Sequence, residues 1–129
     1  MNIYPIVTTT DPARCKEFYL DLFGGKVLFE TDWYVQLQLE KLEIGFIKPN
    51  PPQRLPVFAH AQPARGLTFT VETTDIKGFY GRIRARGIET LGKPARFPNG
   101  EIAFSFVDPA GIVLNIVEFR PDESQVIEL

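Results

Sequence analysis

The side chains able to carry reaction chemistry in this chain are few. Histidine occurs once, as His60, and cysteine once, as Cys15. A metal site built on two or three imidazoles cannot be assembled from one copy of such a chain. Cys15 has no His or Cys beside it in the sequence to lower its pKa, so a structural or idle thiol is expected rather than a nucleophile. His60 has no carboxylate at helical or strand spacing to orient it and reads as a surface residue, not a general base. Glu43 and Glu101 are the carboxylates to which the base of a proton-transfer reaction would be assigned. Arg82, Arg84 and Arg86 close a helical stretch, where positive charge complements the helix dipole. The richer set is neutral: Tyr4, Tyr34, Gln36, Gln38, Thr68, Thr70, Ser105 and Asn115 all sit in β-like stretches. Their chemistry is hydrogen bonding to a bound molecule.

Charge and composition narrow the classes of partner. Fourteen basic and sixteen acidic residues give a net charge of −2, and no basic run appears. Nucleic-acid binding by phosphate neutralisation is excluded on that balance. A 44% hydrophobic, 12% aromatic composition excludes intrinsic disorder. The 129 residues suit one domain burying about two-thirds of its unfolded surface. No apolar run approaches the ~18 residues of a membrane span, and the opening residues lack a signal-peptide pattern. With a single cysteine, the expectation is a soluble, cytoplasmic protein with no membrane partner.

The elements that must position the neutral set repeat. Asp11-Pro-Ala-Arg-Cys-Lys-Glu-Phe18-Tyr19 runs on to Gly24-Gly25, and Asp75-Ile-Lys-Gly-Phe79-Tyr80 runs on to Gly87. Each begins with an Asp that can cap the first helical turn and stops at a Gly that can close the last one. Both predict amphipathic helices of about ten to fourteen residues, with the two Phe-Tyr pairs aligned. The β-rich stretches Ile3–Thr10 and Gly66–Val71 precede the helices. Lys26–Glu30, Tyr34–Leu39 and Leu42–Ile47 follow the first; Glu89–Leu91, Ile102–Val107 and Ile112–Val117 follow the second. The order is βαβββ, twice. The expected organisation is a first module over 1–47, a Pro-rich link over 48–63, a second module over 64–120 and a loose tail over 121–129. Five of the sixteen link residues are proline.

Alternation divides the strands into two faces. Val35, Leu37 and Leu39 lie opposite Tyr34, Gln36 and Gln38, and Leu114 and Ile116 lie opposite Val113, Asn115 and Val117. One face packs on the helices. The other mixes Thr, Gln, Asn and Tyr with apolar residues instead of the Lys and Glu of a solvated face, and reads as a lined concavity. A sheet face at a subunit interface is the other reading. The candidate lining is Tyr4, Ile6 and Thr8, then Tyr34, Gln36 and Gln38, with Thr68, Thr70, Ser105, Asn115 and Val117 from the second module. Trp33, at the start of a strand, is placed either to stack on a planar ligand at the rim or to pack. Arg96, Asn99 and Glu101 read as solvated residues of the loop before the seventh strand.

The paired βαβββ modules, the Asp-started helices with Phe-Tyr, and Asp108-Pro109-Ala110-Gly111 ahead of a strand ending Val117-Glu118-Phe119 resemble the vicinal oxygen chelate superfamily over residues 1 to about 120. That superfamily embraces glyoxalase I, extradiol dioxygenases, fosfomycin-resistance enzymes and bleomycin-resistance proteins. The resemblance implies an α+β fold in which two βαβββ modules form a curved, cup-shaped mixed sheet with helices on the outer face. It implies paired subunits, a homodimer. Enzymes of the family hold a divalent ion at four places, which fall here on Tyr4, Gly45 (or Glu43 on the same face), Gly66 and Asn115. These residues make a poor donor set, so no metal and no other cofactor is expected. The chain is similar to the metal-lacking, bleomycin-resistance-like branch, and metal-independent sequestration of a partly aromatic small molecule is the expected function. An enzyme with an atypical site, with Glu43 or Glu101 as base, and a non-catalytic interaction module are the alternatives.

Overall fold

Each of the two helices among the described residues starts behind an aspartate. In α1 (Pro12–Phe23) and α2 (Ile76–Ala85), Asp11 Oδ1 accepts from Arg14 N at 3.1 Å and Asp75 Oδ1 from Gly78 N at 3.0 Å. Each carboxylate satisfies a first-turn amide that no helical carbonyl can reach. Two residues earlier a threonine accepts from the aspartate's own N–H, Thr9 at 3.3 Å and Thr73 at 3.2 Å. The sequence expectation of two Asp-capped helices is met, but its internal alignment is not. Counted from the matching caps, Phe79 corresponds to Cys15 and Ile83 to Tyr19, and all four are buried. The Phe-Tyr pairs occupy different turns; helical period, not dipeptide identity, fixes which side chain faces the sheet.

The computed structural model describes residues 2–49, 66–97 and 100–119. Residues 50–65, which hold most of the expected link and His60, together with loop residue Asn99 and the tail over 121–129, lie outside the described residues. The rest falls into two units, residues up to Gly66 together with Asp108–Gly111, and Leu67–Val107 with Ile112 onward. The first unit holds β1 (Ile6–Thr8), β2 (Lys26–Glu30), β3 (Tyr34–Leu39) and β4 (Leu42–Ile47) in the sheet order β1-β4-β3-β2. The second holds β5 (Thr68–Glu72), β6 (Ala95–Arg96), β7 (Glu101–Val107) and β8 (Val113–Phe119) in the order β5-β8-β7-β6. In each sheet the first strand runs parallel to the last and the other pairs are antiparallel. Among the described residues two four-stranded mixed sheets, each with one helix, make the α+β fold that the repeat predicts.

Each helix covers one sheet face. Tyr19 of α1 packs its ring 5.2 Å from that of Phe46, with Val7, Val35, Leu37 and Ile44 buried on the same side. In the second unit Phe79 and Tyr80 meet Phe104 edge-on at 6.2 and 5.1 Å. Full burial of such side chains contributes about 1.5–3 kcal/mol each. The Asp-Pro-Ala-Gly turn closes with Gly111 N donating to Asp108 O at 3.0 Å, and Gly111 takes the positive φ of 87° that the turn needs. The turn carries a buried bond as well: Tyr19 donates its hydroxyl to Asp108 Oδ2 at 2.6 Å.

One expected strand differs. Glu89–Leu91 is reduced to a single bridge between Thr90 and Phe106, and the strand that borders β7 is Ala95–Arg96. Gly92 and Pro94 interrupt the edge: glycine at φ 126° turns the chain, and proline lacks the N–H that a ladder requires. Arg96, expected in a loop, is therefore a strand residue paired with Ile102.

Candidate functional site

Cross-strand register decides which side chains share the face away from each helix. In the first sheet Ile6, Gly45 and Gln36 form one row, with Glu43 and Gln38 in the next. In the second sheet Thr70, Asn115 and Ser105 form the corresponding row, with Thr68 and Val113 in the next. The two modules thus present equivalent rows, and Gly45 is the counterpart of Asn115. Thr68, not Gly66, is then the counterpart of Tyr4, since each lies two residues before the row. Gly66 precedes β5 with a φ of 76° and belongs to no strand.

The first sheet's row is tied together by side chains. Tyr34 donates its hydroxyl to Gln36 Oε1 at 2.8 Å, Gln36 Nε2 donates to Glu43 Oε1, and Asn2 Nδ2 donates to Glu43 Oε2 at 2.7 Å. Tyr34 is buried, and burial first, then the proximity of Tyr4 and Glu43, pushes its phenol up from 10.0 to about 12. Gly45 makes the arrangement possible. A Cβ at residue 45 would lie 2.9 Å from Tyr34 Cζ, so only glycine leaves room for the phenol. Gln38 does not join; its amide turns to Glu40 O at 3.0 Å in the hairpin. Trp33 is half-buried beside Tyr34, ring centroids 6.1 Å apart, and its carbonyl accepts from Lys48 N.

The second sheet's row is simpler. Ser105 Oγ donates to Asn115 Oδ1 at 3.4 Å, leaving the Asn115 amide nitrogen as a donor. Thr68 and Thr70 are exposed and Val117 is buried. Glu101 opens β7 opposite Phe119.

Three interactions escape the sequence reading. Asn2 is the first, although Asn2, Tyr4, Ile6 and Thr8 alternate and so share a side. The second is Glu118, buried, which accepts from Ile76 N at 2.9 Å and caps α2 from the last strand. The third is the Tyr19–Asp108 bond, which joins residues far apart in the chain. Cys15 is buried against Thr9, and desolvation pushes its thiol up from 9.0 to about 12, which suits the inert role expected of it.

Neither unit brings to the four places the donors a divalent ion needs. Gly45 supplies nothing, Thr68 and Asn115 are weak neutral oxygen donors, and Tyr4 contributes a phenol. Glu43, the one carboxylate nearby, has an amide on each oxygen. Among the described residues no three of His, Cys, Asp and Glu gather to hold an ion. No helix among them is long and apolar enough to cross a membrane.

A glyoxalase/bleomycin resistance protein/dioxygenase from Nocardioides superposes with a TM-score of 0.73 at 21% identity, over 92% of this chain and 83% of its own. A lactoylglutathione lyase from Agrobacterium tumefaciens gives 0.72 at 21%, over 91% and 92%. A bleomycin-binding protein solved with bleomycin gives 0.61 at 20%, over 93% and 99%. At these identities the likeness speaks for the fold. A search of the curated proteins yields no match. A family model matches residues 4–116, nearly the whole described chain, and by that match this protein belongs to the Glyoxalase/Bleomycin resistance protein/Dioxygenase superfamily.

Proposed function

We propose that this protein binds and sequesters a partly aromatic small molecule without a metal ion and without turnover, as a cytoplasmic homodimer. The observation that carries the reading is the chemistry at the family's four ion-holding places: Tyr4, Gly45, Thr68 and Asn115 cannot hold a divalent ion firmly. In their stead the open sheet faces offer hydroxyls and amides beside aromatic rings. Tyr34 and Trp33 supply flat apolar surface, while Gln36, Ser105 and Asn115 supply hydrogen bonds of fixed direction. Ile6 adds to the proposed lining of the first sheet, and Thr68, Thr70 and Val117 add to that of the second. The family includes both enzymes and binders; among the structural neighbours is a protein that binds bleomycin.

A native mass spectrum of the protein purified without added metal or ligand tests this. A dimer free of metal, with or without an organic adduct, is the expected result. A stoichiometric zinc, nickel, iron or manganese ion would overturn the reading and put an enzyme in its place, with Glu43 or Glu101 as the base to mutate first.

A further inference from the structure

The three side-chain bonds on the open face of the first sheet all run in one direction. The single hydroxyl hydrogen of Tyr34 is given to Gln36 Oε1. That contact fixes the Gln36 amide so that its nitrogen points to Glu43 Oε1, and Asn2 Nδ2 meets the other carboxylate oxygen. The chain of donors ends on Glu43, which accepts and donates nothing. Each carboxylate oxygen keeps further lone-pair capacity, and so does the Tyr34 phenol oxygen. A group arriving there meets acceptors first.

Charge points the same way. The immediate neighbours of Glu43 on that face are Gln38 across the strand pair, Gln36 on the diagonal, Gly45 two residues on and Tyr4 on the β1 side, all uncharged; the nearest cation in the row is Lys26, one strand beyond Gln38 on β2. Among the described residues Lys16 pairs with Glu30 at 2.7 Å, whereas Glu43 meets the amides of Gln36 and Asn2 and no basic side chain. Glu43 is only half-buried, so a ligand has access to it. Rings flank the same stretch of β3: Trp33 lies 6.1 Å and Phe29 6.2 Å from Tyr34, and Phe29 is 55% exposed. Aromatic faces attract cations through the ring quadrupole.

We infer that the ligand carries a protonated nitrogen group, an amidinium, guanidinium or ammonium attached to an aromatic ring, and that Glu43 receives this group while Tyr34 and Trp33 lie beside the ring. The inference rests on the sequestration reading and adds to it the charge and hydrogen-bonding class of the ligand. Glu43 acts here as a specificity residue, and Gln36 and Asn2 position its carboxylate.

Three isosteric probes separate charge from shape: benzamidine, benzamide and benzoate, titrated while amide resonances and the fluorescence of Trp33, the one tryptophan, are followed. Benzamidine is expected to bind about tenfold more tightly than benzamide, since a hydrogen bond to a charged group contributes about 1.5–3 kcal/mol. Benzoate is expected not to bind. Glu43→Gln should abolish the preference for benzamidine, whereas Glu89→Gln, the same charge change at an exposed residue outside the site, should leave it intact. Benzoate or benzamide binding as tightly as benzamidine overturns the inference and leaves sequestration standing. So does a Glu43→Gln protein that keeps the preference. Silence from all three probes overturns the inference as well, while the native mass spectrum decides sequestration separately.

Discussion

The Tyr34 phenol occupies the space into which a side chain at Gly45 would grow. A Cβ on Gly45 would lie 2.9 Å from Tyr34 Cζ, with the hydroxyl oxygen nearer still. The row that in the second module bears the Asn115 side chain bears in the first a phenol reaching over from the neighbouring strand. The two options exclude one another, and the choice of glycine lets Tyr34 meet Gln36 and, through it, Glu43.

Gly45→Ala should therefore destabilise the fold by about 1–3 kcal/mol, the range for overpacking a closed site. Replacing Tyr34 by Leu in the same protein should relieve most of that cost. A double-mutant cycle read by urea unfolding checks it: a coupling above about 0.5 kcal/mol is expected, and strictly additive losses would refute the contact.

The caps predict a second series. Asp11→Ala and Asp75→Ala should each cost about 1 kcal/mol, additively, because each removes the acceptor for one first-turn amide. Glu118→Ala should cost about 1–3 kcal/mol, since it leaves the Ile76 N–H buried without its acceptor. Circular dichroism during urea unfolding measures all three. Equal stabilities for wild type and Glu118→Ala would contradict the capping role.

How far the sequence carries can be seen at these same residues. Strand alternation places Tyr34 with Gln36 on one side of β3 and Glu43 with Gly45 on one side of β4, because period two is a local property of the chain. The Asp caps are equally local. Register is not: that Gly45 faces Gln36 and Asn115 faces Ser105 follows only from strand pairing. The counterpart of Tyr4 is Thr68 by register, and counting from the two capping aspartates gives the same residue, so placing it on Gly66 is a miscount and not a limit of the sequence. The Phe-Tyr pairs mislead for a related reason. A repeated dipeptide is visible in the sequence, but burial follows position from the cap, which pairs Cys15 with Phe79. Tyr19–Asp108 and Ile76–Glu118 join distant parts of the chain, and no pattern within a short window signals them.

A third prediction concerns metals. A site filled at a hundred times its dissociation constant adds about 2.7 kcal/mol to stability, which raises the melting temperature by several degrees. Thermal unfolding with nickel, zinc or manganese, or with EDTA, should give melting temperatures indistinguishable from that of the untreated protein. A rise with one ion that EDTA reverses would show a donor set beyond Tyr4, Thr68, Asn115 and Glu43.

Alkaline pH offers the last test, and its sign follows from burial. The Tyr34 phenol is raised from 10.0 to about 12, because the folded environment penalises the phenolate. A raised folded-state value means that the neutral group contributes stability fully below the unfolded value. That contribution is lost as pH rises towards the folded one. Stability should therefore decline between about pH 10 and pH 12 on account of Tyr34. Cys15, raised from 9.0 to about 12, adds a decline of the same sign that starts earlier. Tyr19, buried and bonded to Asp108, is raised as well and acts in the same direction. Tyr34→Phe keeps the ring over Gly45 and removes the ionisable hydroxyl, so its urea midpoint should fall less steeply than that of the wild type above pH 10. Cys15→Ala should flatten the earlier part of the same curve. Parallel curves for wild type and Tyr34→Phe would mean that the phenol is as solvated in the folded protein as in the unfolded chain. The bonded row from Tyr34 to Glu43 would then not hold at neutral pH either.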